Sequence, residues 1–544
     1  MNGTPLTRSP IRSLYAFVQA RTGSSRFPNK VLTELPAGSG TVLLDHVHHR
    51  LVQVLPESRI VYLIPEGDSA LEDFLSARGR RFFSGSLEDV RARYISAAKT
   101  FGADAILRLT GDNPFYDVKH LSLLVFSFLE GGADLSYFSG LPLGTGGEIF
   151  RTQALLWEPP EGIKERHREH VSLHIKETPE KFRIRPITAI LPPGSSEIVS
   201  QLRMTIDTKE DYTALEKLLN GPAKRIGTSA DAVFRFGAEE LLSWQAEFPE
   251  IFQINRDVPQ IRFPLPSPVL KSKGRIGLLI AGAKKFGSGH EARSHLLYSL
   301  LPQRDWETSL LQEPPEDGEF AGLIVDYRDL KMIRSYKKTK VLLLDHFGPE
   351  RMQYPHWDLL PHPLSGSSFD WENILISPYL TQDGIGQEKE SEKCWEIFCY
   401  AGALDGDTCD KLDDSLAQRS SSVFRVGGTP PKDRHSTKIG YSRRLSSMEY
   451  LETLKKSENF YGYFGQSLFE ALYLRIPSAT FPISPVHKTL SEYLWKEAEI
   501  PYGNADSFPS FSVGTRRPGA KGYDRILEYI DILFQNSFFL GIQK

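Results

Sequence analysis

Short apolar runs alternate with stretches of helical periodicity from residue 13 to about 222. The runs at 14–19, 59–64, 81–83, 105–109, 133–137 and 201–206 have the apolar character of buried strands. Between them, 42–54, 69–77, 87–101 and 118–129 place apolar residues at helical spacing. Strand alternating with helix predicts an α/β domain with a mainly parallel sheet covered by helices on both faces. Ligands of such sheets sit at the carboxyl ends of the strands.

The pattern breaks at 257–274, DVPQIRFPLPSPVLKSKG, where four prolines and a basic cluster read as a linker. It restarts with a strand at 275–280, a glycine turn and a helix at 291–301, then strands at 322–325 and 341–344. The polar stretch 382–393 precedes a further strand at 395–400, and the chain closes with a helix at 468–474 and a strand at 478–482. At 544 residues the chain exceeds one hydrophobic core. The expected division is a domain at 1–256, the linker 257–274, and two lobes at 275–385 and 386–544.

A net charge of −3 supplies no basic excess for nucleic acid. Cys394, Cys399 and Cys409 are odd in number and lack CxxC spacing, which fits reduced thiols better than disulfides or a zinc site. No apolar run reaches the roughly 18 residues that span a bilayer, and the polar start 1–12 lacks a signal-peptide core. The expectation is a cytoplasmic protein without membrane or nucleic-acid partners.

Candidate chemistry begins where the first strand runs through Gln19 into Ala20-Arg21-Thr22-Gly23-Ser24-Ser25-Arg26-Phe27-Pro28-Asn29-Lys30-Val31-Leu32. Small residues at 22–25 let backbone N–H groups approach phosphate oxygens. Arg21, Arg26 and Lys30 add three cations where a polyphosphate needs them. An ordinary polar turn is the alternative on composition alone. The Walker pattern GxxxxGK[ST] is absent.

QARTGSSRFPNKVL resembles the QARxGSxRLPGKVL signature of the spore-coat polysaccharide F-type cytidylyltransferases, relatives of CMP-Kdo and CMP-sialate synthetases. The resemblance continues in order through Gly85–Val90 (GSLEDV), Arg108–Pro114 (RLTGDNP), Arg168–Val171 (REHV) and Met204–Thr208 (MTIDT), covering about residues 13–220. It implies a nucleotide-diphospho-sugar transferase domain that uses magnesium to transfer CMP from CTP to a sugar acid for surface-glycan synthesis. It also implies that Gln19, Ala20, Gly23, Ser24, Ser25 and Arg26 hold the nucleotide, while Gly85, Ser86, Glu88 and Asp89 line the cytosine end. Homodimers are common among the resembled synthetases.

Asp112 follows the strand 105–109 and Asp207 ends the strand 201–206, which puts both at one rim of the sheet beside the loop. Two carboxylates near a triphosphate are suited to magnesium, a hard cation that prefers oxygen. The resemblance assigns the metal to Asp112 and Asp207 and the chemistry to Arg21, Lys30 and Asp112. Helix capping is the alternative, with Asp207 before a helix at 209–219 and Ser86 capping with Asp89 as its third residue. Two departures from the family pattern fall at Gly146, where an acid usually precedes Glu148, and at Asn29, where glycine is usual. They bear on the acceptor sugar more than on the nucleotide. His46, His48 and His49, and His167, His170 and His174, cluster without cysteines. They read as structural, with His170 shaping the acceptor pocket.

In the second half, Phe286-Gly287-Ser288-Gly289-His290-Glu291-Ala292-Arg293 lies between a strand and a helix, where the helix N-terminus attracts anions. It resembles the IGxGHxxR signature of the UDP-sugar hydrolases of pseudaminic acid biosynthesis and their spore-coat G-type relatives. Val325-Asp326, Leu344-Asp345-His346, Ala401–Asp405 (AGALD) and Phe464–Leu472 (FGQSLFEAL) follow in order. The resemblance implies a two-lobed glycosyltransferase-B-like fold holding a UDP-sugar, with His290 as general base, Glu470 on the ribose and Ser467 on the diphosphate. The arginine and aspartate usual upstream are here Leu279 and Ala281, which leaves hydrolysis and non-catalytic binding both open. A glycosyltransferase acting through these lobes is a further alternative.

Overall fold

A computed structural model describes residues 11–24, 26–226, 233–260, 265–269, 272–280, 288–326, 335–381, 392–402, 404–504 and 509–535. Two compact units emerge. The first is chiefly Met1–Lys271, and the second comprises Ser272–Leu301, Asp305–Gln382 and Gln387–Lys544.

The first unit contains strands β1 (Leu14–Gln19), β2 (Ile60–Pro65), β3 (Phe82–Gly85), β4 (Ala105–Thr110), β5 (Leu135–Ser139), β6 (Glu148–Arg151) and β7 (Ile184–Thr188). They form one sheet in the order β3-β2-β1-β4-β6-β5-β7. Every residue of β2 is buried, as a strand covered on both faces requires. Helices Leu43–Leu51, Ser69–Ala77, Val90–Phe101 and Val118–Glu130 connect the strands as the periodicity predicts, and the helix expected from residue 87 begins at Val90.

Two features depart from the sequence reading. First, β6 runs antiparallel to both β4 and β5, and neither β6 nor β7 was legible as a strand. Second, 201–206 is not a strand. It runs extended beside the 143 region, with Leu143 N donating to Leu202 O (3.1 Å), Met204 N donating to Leu143 O (2.7 Å) and one isolated bridge between Leu143 and Arg203. Its apolar character serves a different purpose. Leu202, Met204 and Ile206 anchor a core with Leu215, Leu218, Phe236, Leu241 and Trp244.

The second unit contains two all-parallel five-stranded sheets. The first has β8 (Arg275–Ile280), β9 (Glu307–Leu311), β10 (Gly322–Asp326), β11 (Lys340–Leu344) and β12 (His356–Trp357), in the order β12-β11-β10-β8-β9. The second has β13 (Trp395–Gly402), β14 (Val423–Gly427), β15 (Ile439–Ser442), β16 (Ser457–Gly462) and β17 (Ser478–Thr480), in the order β15-β14-β13-β16-β17. The last described helix, Gly522–Gln535, packs on the first of these sheets. Trp306 Nε1 donates to Asp531 Oδ1 (2.7 Å), and the Trp357 and Tyr529 rings lie 4.8 Å apart. No helix among the described residues is long and apolar enough to cross a membrane.

Candidate functional site

Strand order defines where a ligand belongs. In the first sheet the chain leaves β1 towards β2 on one side and later returns to β4 on the other, so β1 and β4 flank the switch point. Gln19 and Thr110 are register partners at their carboxyl ends. The small-residue loop follows one strand, and Gly111-Asp112 follows the other.

The loop is held both from outside and by its own backbone contacts. Thr22 N and Oγ1 donate to the two carboxylate oxygens of Asp68 (2.9 Å each), while Ser24 N and Asn29 N donate to Thr22 O (2.8 and 3.0 Å). A side chain at Gly23 would meet no atom within 4 Å, so the backbone there faces open space. Gln19 Oε1 is buried without a hydrogen-bond partner among the described residues. Arg21 is exposed, and Ser25 lies outside the described residues. Asn29 has φ 58, the left-handed region in which glycine is favoured and asparagine is the usual substitute. Asn29 thus keeps a backbone geometry that glycine would also adopt.

Lys30, by contrast, is buried and points at the carboxylates. Its Nζ donates to Asp112 Oδ2 (2.9 Å), Asp207 Oδ1 (3.0 Å) and Ile206 O (2.6 Å). Arg26 Nη2 lies 3.2 Å from Asp207 Oδ1, and Arg203 Nη2 donates to Asp207 Oδ2 (2.8 Å). Burial by itself would raise the Asp207 carboxyl, but Lys30, Arg26 and Arg203 together hold it below its ordinary value. Asp112 is fixed from its other oxygen, which accepts from Thr110 Oγ1 (2.7 Å).

Capping does not explain Asp207. Thr208 caps the helix Lys209–Asn220 in a reciprocal box with Asp211, and Asp211 Oδ2 also accepts from Asp207 N (2.9 Å). The corresponding expectation for Ser86 is also corrected. Asp89 is the N-cap of Val90–Phe101, accepting from Ala92 N (2.8 Å), and Ser86 Oγ accepts from Asp89 N (3.0 Å). Gly85 ends β3, where a Cβ would press on Arg93 Cγ at 2.9 Å, and Ser86 and Glu88 are exposed beyond it.

Next to β4 lies a second charged group that sequence reading identified only in part. Glu148 accepts from Arg108 Nη1 (3.1 Å), Ser172 Oγ (2.6 Å) and Lys176 Nζ. Burial pushes its carboxyl up, but Lys176 and Arg108 prevail and hold it at about 2. Burial lowers the pKa of His170, and Arg108 and Lys176 contribute to the same effect. A Cβ at Gly146 would stand 3.2 Å from Leu141 Cδ1, so an acid there would crowd Leu141. The other histidines of the two clusters make local contacts. Burial lowers His46 to about 4, His48 to about 3 and His174 to about 4, and His49 stacks on Phe234 at 4.3 Å.

In the second unit, β8 and β10 flank the switch point of the first sheet. His290 Nδ1 lies 2.6 Å from Asp326 Oδ1, at the end of β10, and Arg293 joins Asp326 (Nε, 2.7 Å) to Asp345 (Nη1, 2.8 Å). The carboxylate beside the histidine thus comes from β10, not from the segment before the glycine turn. Ala281, Phe286 and Gly287 lie outside the described residues. Asp345, Asp358 and His362 also converge, but Arg293 and Arg351 already neutralise the two carboxylates. In the second sheet, Ser467 is half-buried in the first turn of Gln466–Tyr473. Glu470 is buried, and burial raises its carboxyl to about 7 while hydrogen bonds from Gln466 and the Ser377 backbone pull the other way.

A mainly parallel sheet with a small-residue loop and paired carboxylates at its switch point is a nucleotidyltransferase-like arrangement. Residues 15–236 match the cytidylyltransferase family. The chain is 34% identical over 220 residues to the spore coat polysaccharide biosynthesis protein SpsF of Bacillus subtilis, covering 39% of this chain and 89% of that protein. It is 33% identical over 108 residues to 3-deoxy-manno-octulosonate cytidylyltransferase 2 of Burkholderia ambifaria, covering 19% of this chain and 39% of that protein. A solved cytidylyltransferase from Leptospira borgpetersenii aligns with a TM-score of 0.38 at 27% identity, covering 46% of this chain and 99% of that one. Through its N-terminal unit, the chain belongs to the cytidylyltransferase family.

Proposed function

We propose that the N-terminal unit transfers CMP from CTP to a sugar acid, releasing pyrophosphate, in the synthesis of a surface polysaccharide or glycan. The observation that carries this reading is the meeting of Asp112 and Asp207 at Lys30, beside the loop at the switch point of the sheet. Loop N–H groups, with Arg21 and Arg26, would hold the triphosphate. The acceptor hydroxyl attacks the α-phosphorus in line and pyrophosphate departs, so the task of the protein is positioning and charge neutralisation.

Asp112 Oδ2, Asp207 Oδ1 and Ile206 O are hard oxygen donors that converge on one cationic centre, so the donor set suits magnesium in kind. Asp112 and Asp207 would hold the ion, which when bound supplies neutralisation of phosphate charge. Gly23 leaves space for the nucleotide, and the Arg108–Glu148–Lys176 group with His170 forms the acceptor side.

For the second unit, the close His290–Asp326 pair favours a UDP-sugar hydrolase-like site in a glycosyltransferase-B-like arrangement of its two parallel sheets. A carboxylate at Nδ1 orients an imidazole for proton transfer at its other nitrogen. Pyrophosphate release from CTP and magnesium, tested across keto-deoxy sugar acids, tests the first claim. Asp112→Ala should retain CTP binding and lose release. No release by wild type with any acid would refute the claim. His290→Ala should abolish nucleotide release from a UDP-sugar, whereas a wild type that binds the UDP-sugar without releasing nucleotide supports a binding module.

A further inference from the structure

We infer that Lys30 is an internal occupant of the metal position. Its ammonium fills the space between Asp112 and Asp207 until a divalent cation displaces it, which couples metal entry to release of the lysine. The inference rests on the CMP-transfer reading for the identity of the cation, but the geometry is independent of the substrate. Three oxygens, two from carboxylates and one from a backbone carbonyl, surround a single Nζ at 2.6–3.0 Å. Lys30 is 7% exposed, so this ammonium has exchanged water for these oxygens.

Two further cations meet Asp207, and Lys30 is the one seen to bridge it to Asp112 among the described residues. Arg203 is held on the far oxygen of Asp207 and by Asp211, and Arg26 shares Asp207 Oδ1 with Lys30. Both carboxylates are prevented from turning away. Thr110 grips Asp112, and Arg203 grips the far oxygen of Asp207. A divalent cation on the same oxygens and the ammonium exclude one another, because two cations within about 4 Å repel strongly even where the surroundings screen them partly. The displaced amine, on a stem that begins at the end of the loop, becomes available to an incoming phosphate. The lysine would thus serve the carboxylates before the metal binds and the triphosphate afterwards.

The test is nucleotide-free Mn²⁺ binding, followed by electron paramagnetic resonance on the full chain. Lys30→Met and Lys30→Gln should each bind one Mn²⁺ about tenfold tighter than wild type. CTP should improve Mn²⁺ affinity more in wild type than in either variant. Affinity equal to or weaker than wild type in both folded variants overturns the inference. A second measurement needs no variant. Saturating Mn²⁺ alone should accelerate acetylation of the wild-type Lys30 amine, read by mass spectrometry, and an unchanged rate overturns the inference equally. Lys30-dependent Mn²⁺ binding without pyrophosphate release would leave the lysine role standing and sink the CMP-transfer reading. Release with Lys30-independent Mn²⁺ binding would do the reverse.

Discussion

At the scale of single residues, Glu148 shows how a charge can be built into a sheet. It stands opposite Arg108 in the register of β4 and β6, and Lys176 and Ser172 complete its partners. Its folded pKa, about 2, lies below the ordinary 4.5. The resulting stabilisation is complete above the ordinary value and is lost as pH falls from about 4.5 towards 2. Glu148→Gln should therefore lose about 3 kcal/mol at neutral pH, measured by urea unfolding, and show a flatter acid limb. Asn29 offers a purely conformational test. With φ 58, Asn29→Gly should be nearly neutral, whereas Asn29→Val should cost about 1–2 kcal/mol in the same assay.

At the scale of elements, the segment before the helix Lys209–Asn220 matters more than its own chemistry suggests. Asp211 accepts from Asp207 N, Thr208 N, Arg203 and Asn255, so one buried carboxylate ties the helix start, the extended segment and the candidate metal residue together. Asp211→Ala should cost about 3 kcal/mol, because it leaves Arg203 buried without that partner. It should also slow pyrophosphate release about tenfold or more with CTP affinity little changed, since Asp207 would lose its backbone anchor. The pattern Thr208-x-x-Asp211 was legible in the sequence, although the cap expected there was Asp207. The second duty of Asp211 was not, because Arg203 and Asn255 reach it only through packing. The same limit explains β6. Four residues, EIFR, have no period long enough to announce a strand, and only the hydrogen bonds to β4 and β5 make them one.

At the scale of the molecule, each unit has its own hydrophobic clusters, one set around Phe17, Leu63 and Ile106 and another around Phe398, Phe460 and Leu468. A chain cut after residue 271 should still fold and release pyrophosphate from CTP with a suitable acid, checked by thermal melting and a phosphate-coupled assay. His290→Ala in the full chain should leave that activity unchanged.

By itself the sequence determined the alternation of strands and helices, the loop from Gln19 to Leu32, and the family to which the first unit belongs. These are local properties, written in the spacing of apolar residues and in contiguous motifs. Tertiary structure decided the partners. Lys30 lies 82 residues from Asp112 and 177 from Asp207, yet its ammonium touches both. His290 finds its carboxylate 36 residues away at the end of β10. The energy of a buried charge depends on what surrounds it in space, and chain order does not record that. The sequence could mark Lys30 as a cation for phosphate, but only the folded sheet turned it towards the carboxylates.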